Sequence, residues 1–389
     1  MSEKTKTRRV LFHEWSDKSH NKRWLKVAPK KRRGKVFKHG KVVNVLKNGK
    51  VVPMQRVRKR TQNPNSRKNL IKPKQKINNS IFALLDRIPD EKTCREWFER
   101  IRLELNIGCP YCGHHKYTTF TVKKTGVKKY NCSKCRKPYS LTQGTVFENT
   151  KMPFKKWIMA MYLNANSSKG VSSYEIARML DVTQKTAWMM MHKIRKMQQN
   201  YISSLQLGGI VEVDETYFGD RPPIEKGKRR PSGFGCEQTS IFGMIQRDGE
   251  IFVQPISDTS METLHGIIDS KIADHTTTKI MSDQLPGYTG LDKKYEKHEQ
   301  VKHRAEFAKP GGIHTNNIEA FWSILKRSVK GVYHRSSSKH ADLYSAELAY
   351  LLSKRNAQSE DRISDIMRYC IGNLSWDELR NKKPIWLKQ

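Results

Sequence analysis

Acidic residues are scarce in this chain. It holds 37 Asp and Glu against 75 Lys and Arg over 389 residues, a formal charge of +38. An imbalance that large excludes an ordinary neutral surface and implies a polyanionic partner, first of all nucleic acid. Long apolar runs and lipidation signals are also missing, so no membrane partner is expected. No secretory leader precedes the basic start. The expected compartment is therefore one that contains DNA: the cytoplasm (nucleoid-associated) in a bacterium, the nucleus in a eukaryote. Cysteine is sparse, seven in all, and four of the seven fall in two close pairs. That distribution points to metal binding and argues against a disulfide framework. The length accommodates two to four domains.

The acid deficit is greatest at the start. Residues 1–77 carry 26 Lys or Arg and three acids, Glu3, Glu14 and Asp17. With no sustained hydrophobic period, this stretch reads as a basic, largely disordered DNA-binding extension. Within it, Gly40 to Val52 alternates weakly around Asn48-Gly49 and admits a small hairpin. The run Pro29 to Lys35 resembles a nuclear import signal, although a solvated phosphate-binding tail is the plainer reading. Beyond it the pattern divides into a helical lead-in and cysteine module (78–150), a helical Met-rich region (151–205), alternating strands and helices (206–335) and a C-terminal helical segment (336–389).

Cys109-Pro-Tyr-Cys112 and Cys132-Ser-Lys-Cys135 form C-x2-C-x19-C-x2-C. Each pair suits a tight knuckle with both thiolates inward, and two knuckles complete one structural, tetrahedral Zn²⁺ site. His114 and His115 read as surface residues, because four thiolates already close the shell. Tyr117, Lys123, Lys124, Lys128, Lys129 and Tyr130 between the knuckles let the ribbon touch phosphates; a purely structural ribbon is the near-equal alternative.

Ser172 with Glu175 three residues on forms a capping box for a helix whose inner face is Ile176, Ala177 and Leu180. Asp181-Val182 turns the chain, and Thr183 caps a second helix with Ala187, Met191 and Ile194 at i, i+4, i+7. This is the size of a helix-turn-helix, whose second helix enters the major groove by its N-terminal end. Gln184, Lys185 and Thr186 would then face the DNA. An ordinary helical hairpin is the competing reading.

Three carboxylates carry the remaining chemistry. Asp214 sits in the strand-like run Gly209 to Phe218. Asp283 closes a second run from Lys279, and Glu319 lies on a helix within His314 to Arg327. Lys326 follows Glu319 by two helical turns and is placed to hold a phosphate. Thr239 to Gln246 and Glu250 to Ile256 form a hairpin around an Asp-Gly turn. A helix from Ser260 to Ala273 and a strand from Thr278 follow. The order β-β-β-α-β-α, with acids on the first strand, the fourth strand and a later helix, describes a ribonuclease-H-like core. Such acids can converge on two Mg²⁺ (or Mn²⁺) ions, the chemistry used to cut and join phosphodiesters. Taken singly, each has a plainer reading: Asp214 as a solvent-facing strand residue, Asp283 as a turn cap, Glu319 as a capping-box partner of Asn316. Glu212, Glu215 and Asp220 are neighbours that can replace Asp214 in a weaker assignment.

Together, the cysteine module from Cys109 to Cys135, Val213-Asp-Glu-Thr-Tyr-Phe-Gly219, Met281-Ser-Asp283, His314-Thr-Asn-Asn-Ile-Glu-Ala-Phe-Trp322, Leu325-Lys-Arg327 and Gly331-Val-Tyr-His334 resemble the IS1595-type (ISXO2-like) insertion-sequence transposases. Eukaryotic Merlin-type transposases are similar. The resemblance spans roughly residues 80–357. It implies a multidomain α+β protein: a basic extension, a zinc ribbon, a helix-turn-helix and a ribonuclease-H-like (DDE transposase) catalytic core. It further implies Asp214, Asp283 and Glu319 as ligands of two Mg²⁺ or Mn²⁺, with Lys326 beside them. The implied partners are double-stranded DNA, as transposon ends and target, and further copies of the chain in a homodimer or higher oligomer. The extension 1–77 departs from the family pattern. A nuclease or resolvase without strand transfer, or a DNA-binding protein that has lost catalysis, are the rival classes; the intact acids argue against the second.

Overall fold

The computed structural model describes three strands within the basic extension and residues 79–381, apart from 124–125, 220–238, 302–311 and 335–336. The rest of the extension, Asp220 and Cys236 lie outside the described residues. Within the extension, β1 (Gly34–Lys38), β2 (Lys41–Val45) and β3 (Val51–Val52) form an antiparallel sheet. The hairpin expected around Asn48-Gly49 is the β2–β3 pair, and β1 extends it.

Residues 76–389 form a separate compact unit. It opens with α1 (Ile81–Arg87) and α2 (Glu91–Glu104), separated at Pro89-Asp90, where the Asp90 carboxylate accepts from the Thr93 amide. A small sheet follows: β4 (Tyr117–Thr121), β5 (Lys128–Cys132) and β6 (Pro138–Tyr139). Three helices come next, α3 (Phe154–Ala165), α4 (Ser173–Leu180) and α5 (Gln184–Ser204). The larger sheet holds β7 (Ile210–Phe218), β8 (Thr239–Gln246), β9 (Ile251–Ile256), β10 (Lys279–Ser282) and β11 (Lys297–Gln300), with α6 (Met261–Lys271) between β9 and β10. The chain continues through α7 (Asn316–Ser328), a π-helical turn (Val329–Tyr333), α8 (Ala341–Ser353), α9 (Ser359–Arg368) and α10 (Trp376–Asn381).

The larger sheet runs β11-β10-β7-β8-β9. Strands β7, β8 and β9 are antiparallel neighbours, and β10 and β11 run parallel to β7. This is the topology that the β-β-β-α-β-α order anticipates, with one strand added. Strand β11 escapes sequence reading because Lys-His-Glu-Gln, an edge strand, carries no apolar alternation. Elsewhere the sequence pattern and the strands coincide. The β8–β9 turn passes through Asp248 at φ 58°, a left-handed position that Asp tolerates.

One continuous apolar core runs from Leu84 to Cys370 and includes the inner faces of α2, α3, α5, the larger sheet, α7 and α8. A polar knot lies inside it. Arg195 on α5 donates from Nε to Glu347 on α8 at 2.7 Å, and Tyr333 donates to the same oxygen at 2.7 Å. Asn164 on α3 donates to the other oxygen of Glu347 and accepts from Gln198 at 2.7 Å. The Arg195 guanidinium also stacks on Tyr344, 4.4 Å from its centroid. The knot joins α3, α5 and α8 to the turn that ends α7. Among the described residues, no helix is long and apolar enough to cross a membrane.

Candidate active site

Parallel pairing sets the first two acids side by side. The β10–β7 register reaches Met281 opposite Glu212; Asp214 lies two residues further along β7, and Asp283 is the first residue past the end of β10. Neighbouring strands lie about 4.8 Å apart. Asp214 shares with Glu212 the face of β7 that α7 covers, and both aspartates are half-buried. Asp214 Oδ2 accepts from the Trp322 indole of α7 at 2.9 Å. Asp283 Oδ1 accepts from the Leu285 amide at 3.0 Å, so the turn-capping reading of Asp283 is also realised.

Helix α7 buries Ile318, Phe321, Trp322 and Leu325, as its pattern predicts. Glu319 is half-buried on its flank and accepts from the Thr315 hydroxyl at 3.1 Å. Thr315, rather than Asn316, is thus the capping-type partner. Lys326 is exposed two turns further on.

Glu212, the neighbour of Asp214 on the same face of β7, anchors α7. It is fully buried and accepts from the Asn317 amide at 2.9 Å, the Ile318 amide at 3.2 Å and the Asn317 side chain at 2.8 Å. A carboxylate at a helix N-terminus satisfies amides that the helix itself cannot. Arg247, from the β8–β9 turn, donates to Glu212 at 2.8 Å and to the His314 and Gly312 carbonyls. The helix carrying Glu319 is thereby tied to the strand carrying Asp214.

Glu215 points to the opposite face of β7 and accepts from the Tyr288 hydroxyl at 2.6 Å. Burial raises its carboxyl to about 8, and the nearby charges of Asp214 and Asp283 push the same way. In the sequence Glu215 stands out only as a neighbour of Asp214, and Tyr288, in the loop after Asp283, carries no signal of its own. Three acids within a few residues of two strand ends were the available signal.

The cysteine module closes on itself. Cys109 and Cys135 Sγ lie 3.7 Å apart, Cys112 and Cys132 Sγ 3.6 Å, and all four within 4.8 Å of one another. Sulfurs about 2.3 Å from a tetrahedral zinc would be separated by about 3.8 Å, so the donor set fits Zn²⁺. The first knuckle passes through Gly113 at φ 72° and the second through Arg136 at φ 56°, each just beyond its second cysteine. Amides of Cys135 and Lys134 hold the Cys132 thiol down at about 6. His114 and His115 stand outside the group. Among the described residues, the three acids are not drawn as close as the thiols. Two cations about 3.5–4 Å apart tolerate a wider donor spread.

The two helices of the expected helix-turn-helix form with both caps. Ser172 accepts from the Glu175 amide and Thr183 from the Thr186 amide. The chain turns through Asp181 at φ 49°. At the start of α5, Gln184 donates to Ser173 at 2.9 Å. The ammonium of Lys185, an exposed residue, lies 4.4 Å from the Trp376 ring centroid.

Comparison with known proteins bears on the larger sheet. Residues 206–352 match the model of the ISXO2-like transposase domain. An uncharacterized protein in transposable element ISH50 of Halobacterium salinarum is 22% identical over 270 residues, covering 64% of this chain and 86% of that protein. Among solved structures, the mariner Mos1 paired end complex with Mg is 14% identical with a TM-score of 0.25, covering 61% of this chain and 82% of that one. The Mos1 strand transfer complex is 13% identical with a TM-score of 0.19, covering 56% and 80%. Scores that low carry no argument. The family resemblance drawn from the sequence is nevertheless shown: over residues 206–352 this chain is similar to the ISXO2-like transposases.

Proposed function

We propose that the protein is a DNA transposase that binds the terminal inverted repeats of its element, cleaves at the ends and joins the freed 3′-hydroxyl to target DNA. The observation that carries this reading is the placement of Asp214 on β7, beneath a helix that bears Glu319, with Asp283 immediately after the adjacent parallel strand β10. An all-oxygen donor set suits Mg²⁺ or Mn²⁺. Asp214, Asp283 and Glu319 are the residues that would hold a pair of these ions. When bound, the ions supply activation of the attacking oxygen and charge neutralisation at the phosphate.

The chain's own groups supply the rest. Glu212 and Arg247 fix the start of α7 and hence the direction in which Glu319 is presented. Lys326 grips a phosphate near the scissile bond. Glu215, on the opposite face of β7, holds Tyr288 of the loop that follows Asp283. End recognition falls to Gln184, Lys185 and Thr186 at the start of α5, with the ribbon and the basic extension contributing phosphate contacts. One Zn²⁺ held by Cys109, Cys112, Cys132 and Cys135 stabilises the ribbon. Both element ends must be held together, so the working form is a homodimer or higher oligomer on DNA.

Labelled element ends incubated with plasmid and Mg²⁺ test the proposal. Joined products support it. Cleaved ends without joining would instead identify a nuclease or resolvase, and binding without cleavage a DNA-binding protein.

A further inference from the structure

Asp214 is contacted by a side chain from the helix that covers it. Trp322 is 4% exposed, and its indole N–H donates to Asp214 Oδ2 at 2.9 Å. Directly across from Asp214 in the β7–β8 register stands Gly243. A Cβ at position 243 would lie 2.6 Å from Trp322 Cη2, 2.7 Å from Cζ2 and 3.2 Å from Ile318 Cδ1. An indole is rigid and cannot yield as the end of a flexible chain does. Gly243 is not in the left-handed region, so the glycine is there for space. The carboxylate, the indole and the missing side chain thus come from three elements and define one place.

We infer that Trp322 is a positioning residue: in the space left by Gly243, its indole N–H fixes the orientation of the Asp214 carboxylate toward a divalent cation. The inference rests on the reading of Asp214 as a metal ligand and adds to it. Filling the core over β8 needs only the aromatic ring. Holding Asp214 needs the N–H as well. A donor on one carboxylate oxygen restricts rotation of the whole group. Partners of this kind typically change metal affinity about 10–100-fold when removed.

The test uses the full-length, zinc-loaded protein, with DNA absent from the Mn²⁺ titration. Mn²⁺ binding is followed by electron paramagnetic resonance, alongside thermal unfolding and binding to element ends. Trp322→Phe keeps an aromatic ring, smaller than the indole, and removes the donor. Its Mn²⁺ affinity should fall about 10–100-fold, with end binding unchanged. Gly243→Ala keeps the donor but displaces it, and should weaken Mn²⁺ binding in the same direction. A Trp322 that only fills space would leave Mn²⁺ affinity intact in Trp322→Phe while lowering the melting temperature. Wild-type Mn²⁺ affinity in folded Trp322→Phe, with binding abolished in Asp214→Asn, overturns this inference alone. Mn²⁺ uptake that survives Asp214→Asn overturns the parent assignment too. Should Trp322→Phe not fold, Gly243→Ala decides by the same measurement.

Discussion

The cysteine cluster and the acid cluster are assembled in opposite ways. Four thiols come from two knuckles of one small sheet, and their sulfurs lie within 4.8 Å of one another. The three acids come from two strands and a helix and stand further apart, each engaged by a protein donor: Trp322, the Leu285 amide and Thr315. Local turns suffice to gather thiols. Carboxylates repel one another and need a scaffold to present them together. That scaffold is the Glu212–Arg247 anchor below α7 and the Glu347 knot beyond its end. The comparison predicts that the first cluster fails through folding and the second through chemistry.

The largest effect is expected at the ribbon. Zinc in small structural sites contributes about 10–16 kcal/mol of binding free energy that is also folding free energy. Cys132→Ser, or strong chelation, should therefore unfold the ribbon. Elemental analysis should find one zinc per wild-type chain; cleanly folded protein without zinc breaks this half of the comparison.

Next come the acids. Asp214→Asn, Asp283→Asn and Glu319→Gln should each reduce cleavage by more than the ~10–100-fold typical of outer partners, while leaving the melting temperature and end binding near wild type. A variant that still cleaves normally removes its residue from the assignment.

The knot should behave oppositely to the acids. Glu347→Ala strands a buried Arg195, and losing one partner of a buried pair costs about 3–5 kcal/mol. Chemical denaturation should show that loss. A stable Glu347→Ala variant would mean that Arg195 finds another acceptor.

Much of this was legible in the sequence, and the exceptions have physical causes. Strands β7, β8, β9 and β10 announced themselves by apolar runs, and α7 by Ile318, Phe321, Trp322 and Leu325 at helical spacing. Cysteine spacing predicted a cluster because knuckles are local. The role of Glu212 was not legible, because nothing local distinguishes a strand glutamate that caps a helix 105 residues away. Nor was that of Trp322, whose apolar spacing conceals a polar N–H. Strand β11 was hidden by its polar edge. The turn at Asp181 and both caps were readable; what Lys185 touches was not, since Trp376 reaches it from the far end of the chain.

The smallest effects concern DNA choice. Deleting residues 1–77 should weaken specific and random duplexes alike and flatten the slope of log K against log salt. Changing Gln184 and Lys185 should cost about 1–3 kcal/mol per lost base contact, on terminal-repeat DNA only. A salt titration on repeat and scrambled duplexes separates the two. If deletion of the extension selectively erases repeat preference, recognition moves to the extension and α4–α5 becomes a structural hairpin.

The central claim is that Asp214, Asp283 and Glu319 together perform cutting and joining. Its most direct measurement is strand transfer of a pre-cleaved, labelled element end into plasmid with Mg²⁺, comparing wild type with Asp283→Asn. Joined product from the wild type and none from the variant is the predicted result. Equal joining by both, or a wild type that only hydrolyses, would contradict it.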